Sequence, residues 1–180
     1  MRMRIIAGDL SGRFFAAPDG AITHPMSERV RGALFNSLGD ISGQSVLDAF
    51  GGSGALAFEA ASRGAAQVLV LERDKRAQQI IAGNIQVLSL GESVRLTKTS
   101  AGVWSDNNPG AQFDIILCDL PYQELQLSTV SKLTGHVKDN GLMVLSYPGR
   151  ESAPTVNGVV VVDNKRYGDA ALAYYRKVAS

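Results

Sequence analysis

An α/β fold is predicted: a mostly parallel seven-stranded sheet with one antiparallel strand near its edge, preceded by a small β-hairpin. Three observations predict it. From residue 45 onward, short apolar runs alternate with segments of helical period, the trace of a sheet covered on both faces by helices. A glycine-rich turn, Gly51, Gly52, Ser53 and Gly54, joins the first of these runs to a helix. The C-terminal segment GVVVVDNKRYGDAALAYYRKV reads as two strands joined by a turn around NKRYGD, which makes one strand antiparallel.

The elements follow in order. RMRIIAG (2–8) and RFFAAP (13–18) form two short strands around the turn DLSG, with PDG closing the second. Ser27 caps a helix in which Val30, Ala33, Leu34 and Leu38 share a face, ending near Gly39. SVLDAF is a strand, GALAFEAASR a helix stopped by Gly64, and QVLVLE the second strand. In DKRAQQIIAGNIQVLSL, Ala77, Ile80, Ile81, Ile85 and Leu88 make a helical stripe, and Asp74 is its cap. VRLTKT and FDIILC are the third and fourth strands. A helix over about residues 124–136 leads to the fifth, GLMVLSY, while GVWSDNNPG reads as a polar loop around Trp104.

Composition narrows the function classes. With 180 residues, 45% of them hydrophobic, the chain has the mass of one domain over 1–180, with a hairpin extension over 1–20 and a core over 27–180. The net charge of +1 gives no overall field toward nucleic acid or membrane, although residues 1–31 hold five arginines against three acids. One cysteine, Cys118, excludes an intramolecular disulfide framework and fits a reducing cytoplasm. No apolar run approaches the roughly 20 residues that span a bilayer.

Parallel sheets bind ligands beyond the carboxyl ends of their strands, where strand order reverses. Three groups fall at such ends. Asp48 closes a strand and leads into the glycine turn, whose residues let a ligand approach the backbone. Glu72 ends the next strand and can accept from both hydroxyls of a ribose. Together they indicate a nucleoside-containing cofactor. GSGALA (52–57) also satisfies the dinucleotide pattern G-x-G-x-x-G/A, so NAD stands as a competitor. The third group, Asp119, Leu120, Pro121 and Tyr122, offers chemistry that hydride transfer does not need. A carboxylate and a neighbouring carbonyl can hold the hydrogens of a planar amine and turn its lone pair toward a sulfonium methyl. Pro121 biases Leu120 away from helical dihedrals, and Tyr122 supplies a face for an unstacked base.

In order along the chain, MRIIAG (3–8), RVRGALFNSL (29–38), VLDAFGGSGALAFEAASRGA (46–65), FDIILCDLPY (113–122) and RYGDAAL (166–172) resemble the RsmD-type 16S ribosomal RNA guanine methyltransferases. The resemblance implies a Rossmann-like class I fold that uses S-adenosyl-L-methionine to methylate the exocyclic N2 amine of a guanine. Its substrate would be the 16S rRNA, in the small ribosomal subunit or an assembly intermediate. It implies cofactor contacts from Asp48, Phe50, Gly51, Gly52, Ser53, Gly54, Glu72, Arg73, Ser100 and Ala101, and places the target amine at Asp119, Leu120, Pro121 and Tyr122. Arg2, Arg4, Arg13, Arg29 and Arg31 would hold the RNA backbone. A cytoplasmic monomer without metal or membrane contact is the accompanying expectation. Leu120 stands where the family pattern has proline, Ser100 where many relatives have an acid, and His24, Met26 and Gly32 where they tend to carry Arg, Thr and Glu. Methylation of DNA adenine or a protein amide, and a non-catalytic RNA-binding or assembly module, remain alternatives.

Overall fold

A computed structural model describes residues 1–19 and 25–178; His24 and the glycine of PDG lie outside them. Strands β1 (Arg2–Arg4) and β2 (Phe14–Ala16) pair antiparallel as the expected hairpin, with shorter strands than the sequence runs suggest. The main sheet comprises β3 (Ser45–Asp48), β4 (Gln67–Leu71), β5 (Val94–Thr97), β6 (Phe113–Cys118), β7 (Val137–Pro148), β8 (Val159–Tyr167) and β9 (Ala170–Lys177). Its order is β5-β4-β3-β6-β7-β9-β8. The first five are parallel, and β9 runs antiparallel to both β7 and β8. The C-terminal turn lies at Gly168 and Asp169, later than NKRYGD suggests, because Asn164 to Tyr167 pair with β9.

Alternation along each strand divides the core. Val46, Ile115 and Leu117 face one cluster, with helices α1 (Glu28–Leu38), α2 (Ala55–Ser62) and α3 (Lys75–Val87). Leu47, Ile116 and Cys118 face the other, with α4 (Ala101–Asn107) and α5 (Leu127–Leu133). Both faces are covered, which is why these strands read as unbroken apolar runs; each buried Leu or Val contributes about 1.5–3 kcal/mol. Ser27 and Asp74 cap α1 and α3 by accepting from Val30 and Ala77 amides.

Two sequence expectations are corrected. GVWSDNNPG is not a loop: Ser100 caps α4, and Trp104 is buried against Phe113 and His136. His136, which has no partner in sequence, donates through Nδ1 to the Ala111 carbonyl at 2.7 Å and meets the Ser105 hydroxyl at 2.8 Å. The segment over 124–136 is not one helix, because Leu125 and Gln126 adopt extended ψ angles of 94° and 71° between a 3-10 turn and α5.

The hairpin is docked on the core by buried polar side chains. Glu59, with no exposed surface, accepts from the amides of Ile6 at 2.9 Å and Ala7 at 3.1 Å and pairs with Arg63 at 2.9 Å and Arg31 at 3.5 Å. Gly8 has φ +89, and a β carbon there would lie 2.0 Å from the Ser62 carbonyl oxygen, so the chain can pass α2 only as glycine. Asn84 on α3 donates to the Ala16 carbonyl and accepts from its amide, extending β2 as another strand would.

Candidate active site

Strand order reverses at β3, with β4 on one side and β6 on the other. The three predicted groups meet above this point. Asp48 ends β3 level with Leu117, two residues before Asp119. Gly51 donates its amide to the Leu71 carbonyl at 2.8 Å, and a β carbon on it would fall 2.6 Å from Val70 Cγ1. Gly52 and Gly54 have φ of +56 and +83, the left-handed region that favours glycine. Ser53 is buried, its hydroxyl accepting from the Ala55 amide, and Phe50 is half-buried beside the turn.

Glu72 braces this turn. Its two carboxylate oxygens accept from the Gly52 amide at 2.7 Å and the Asp74 amide at 2.8 Å, each keeping a second lone pair for another donor. Gln78, buried on α3, donates to the Glu72 carbonyl. Arg73 points to solvent and pairs with Glu124 at 3.2 Å. Since β4 and β6 flank β3, this ion pair links the segments that follow those two strands. Ser100 spends its hydroxyl on the Val103 amide as the α4 cap, and Ala101 behind it is buried.

Electrostatics separate the carboxylates. Asp48 is fully buried and its two oxygens have no hydrogen-bond partner among the described residues. Burial, then the charges of Asp119 and Glu72, push its carboxyl well above the usual range, while the nearby Phe50 and Ala57 amides, outside hydrogen-bond geometry, oppose the shift only by their dipoles. Burial likewise raises Asp119 to about 6, opposed by the Ser146 hydroxyl. The Cys118 thiol is pushed up by burial and by Asp48 and Asp119, which leaves it a small protonated core residue.

Leu120 buries its side chain at 3% exposure in the second core cluster. A leucine can therefore replace proline here while leaving its carbonyl beside Asp119. Pro121 holds φ −55 and ψ 134, starting the turn that carries Tyr122. The half-buried Tyr122 meets the Ser146 hydroxyl at 3.1 Å, and burial raises its phenol. It borders a groove of about 520 Å³ whose other walls include Gly149, Arg150, Gly168 and Asp169. Ser146, Arg150 and Asp169 were not picked out by sequence reasoning. RYGD signalled only the resemblance, and the groove forms from β6, β7 and the β8–β9 turn, far apart in the chain.

Of the expected RNA-binding arginines, four are on the surface. Arg2 stacks over the exposed Phe14 ring at 4.3 Å, Arg4 pairs with Glu28 at 2.9 Å, Arg13 donates to the Val87 carbonyl, and Arg29 is exposed. Arg31 is a correction: it has no exposed surface, pairs with Glu59 and donates to the Arg4 carbonyl, so it cannot reach RNA.

Two features fit S-adenosyl-L-methionine at the glycine turn. Asp48 is an orphaned buried carboxylate suited to a cation, and the Glu72 oxygens each keep a lone pair for a further donor such as a ribose hydroxyl. With the reversed strand order and the single antiparallel β9, the architecture is that of the Rossmann-like class I S-adenosylmethionine-dependent methyltransferases. The family model described as Conserved hypothetical protein 95 matches residues 3–176. The chain belongs to this family, that of the RsmD-type methyltransferases. It is 33% identical to the Ribosomal RNA small subunit methyltransferase D of Escherichia coli, covering 86% of this chain and 79% of that protein. YlbH of Bacillus subtilis is 30% identical, covering 97% of this chain and 99% of its own length. The solved Escherichia coli yhhF structure superposes with a TM-score of 0.89 at 31% identity, covering 100% of both chains.

Proposed function

We propose that the protein is an S-adenosyl-L-methionine-dependent methyltransferase acting on the exocyclic N2 amine of a guanine in 16S rRNA, in the small subunit or an assembly intermediate. One observation carries this reading: Asp119 and the Leu120 carbonyl stand at the tip of β6, one strand from the orphaned Asp48, with Tyr122 facing a groove. Relatives named as small-subunit rRNA methyltransferases support the RNA substrate.

When bound, the cofactor supplies an electrophilic methyl on a sulfonium. Asp48 and the Gly51–Gly54 turn would hold its amino-acid end, Glu72 its ribose, and Phe50, Arg73, Ser100 and Ala101 would line its remaining length. The chain's own work is orientation. Ionised Asp119 and the Leu120 carbonyl accept the two hydrogens of the amine, which localises the nitrogen lone pair out of the base plane. Tyr122, fixed by Ser146, stacks the base taken from its helix. Arg2, Arg4, Arg13 and Arg29 hold phosphates. Arg2 and Phe14 together also offer a base a stacking face.

Incubation with methyl-labelled cofactor and small subunits from a strain lacking the protein tests this. Label at one guanine is expected, and Asp119→Ala should lower kcat/KM by about 100- to 1000-fold. Label on DNA or protein with none on RNA, or an Asp119→Ala variant with full activity, would overturn the reading.

A further inference from the structure

The groove beside Tyr122 contains a carboxylate with no role in the mechanism above. Asp169 lies in the β8–β9 turn, exposed, and its side chain makes no hydrogen bond or ion pair among the described residues. The turn itself is held firmly. Gly149, at the end of β7, donates its amide to the Asp169 carbonyl at 2.8 Å, and the Arg166 guanidinium donates to the Gly149 carbonyl. A β carbon on Gly149 would fall 2.3 Å from the Gly168 carbonyl oxygen, so the turn and the strand end are in direct backbone contact. A free carboxylate on a braced backbone, facing the same groove as a stacking tyrosine, is suited to reading the edge of a base.

We propose that Asp169 is the residue that selects guanine, accepting the ring N1–H that guanine carries and adenine lacks. This rests on the guanine reading given above and names its specificity determinant. The chemistry follows from the donor pattern. Guanine presents N1–H directly beside the N2 amine, so one base edge offers donors to two carboxylates, Asp119 for the amine and Asp169 for the ring. Adenine has a lone pair at N1, and a carboxylate opposite it would face another acceptor. Tyr122 and Asp169 line the same groove, and Asp119 lies three residues before Tyr122 at the tip of β6. Glu151 lines the groove as well, from the segment after β7. Arg150 lines the same groove and adds a cation to it.

The test compares two substrates. Reconstituted small subunits carry either guanine or 2-aminopurine at the mapped position; the analogue keeps the 2-amine but lacks N1–H. The wild type should prefer guanine by about 30-fold or more. Asp169→Ala should lower kcat/KM for guanine by about 30-fold and for 2-aminopurine by less than about 3-fold, while Asp169→Asn, which keeps an acceptor oxygen, should recover much of the loss. Equal losses on both substrates would assign Asp169 to the turn's structure, and an unchanged rate on guanine would remove it from recognition; either overturns the proposal while leaving the guanine reading intact. Failure of the wild type to methylate the guanine particle would instead overturn that reading, and this one with it.

Discussion

Glu59 and Asp48 are both carboxylates without exposed surface, yet their surroundings are opposite. Glu59 is met by two backbone amides and two guanidinium groups, whereas Asp48 has no hydrogen-bond partner among the described residues. The difference separates two uses of buried charge. At Glu59, completed pairing joins the N-terminal hairpin to α2. At Asp48 the pairing is left open, and the resulting cost is carried by the fold until a cation restores it.

The largest expected effect comes from breaking the completed network. Glu59→Ala should destabilise the protein by about 3–5 kcal/mol, because Arg31 would be left buried with no counter-charge. Thermal denaturation should register this as a fall of about 10 °C or more; a fall under about 2 °C would erase the distinction. Asp48→Asn should behave oppositely. It removes an unpaired carboxylate, so the apo protein should fold at least as well, while cofactor affinity by calorimetry should drop by about 30-fold.

Asp48 also carries a pH signature. A carboxyl raised in the folded state binds more protons folded than unfolded, so its stabilising contribution is present at low pH and disappears as pH rises through the folded value. The wild-type melting temperature should therefore decline as pH rises above the ordinary carboxylate range, and Asp48→Asn should flatten that decline. The smallest effect sharpens the comparison at Asp119. Since burial raises it to about 6 and the amine needs the ionised form, methyl transfer should be about tenfold slower at pH 5 than at pH 8. A profile without an ascending limb near pH 6 would detach Asp119 from the reacting amine.

What could be read from the sequence follows the range of the interactions. Asp48, the glycine turn, Glu72 and Asp119 to Tyr122 were legible because each belongs to one short strand-end motif, and Ser27 and Asp74 because a cap acts three residues away. Helix α4 was not legible. Its seven residues include Ser105, Asp106 and Asn107, and it is held by Trp104 packing against Phe113 and His136 from β6 and the turn before β7. Arg31 looked like its neighbour Arg29, and only Glu59, a helix and a strand further on, turns it inward. The Asp169 groove required a turn near the C-terminus to meet Gly149, a contact no local pattern encodes.

The Glu59 anchor has a consequence for how the chain matures. The acceptor for the Ile6 and Ala7 amides is synthesised 53 and 52 residues after them. Until then the first segment has no seat, and closing so distant a contact is slow compared with winding a helix. The hairpin thus stays undocked until α2 has emerged, and a nascent chain halted before α2 should still yield the β1–β2 hairpin to protease.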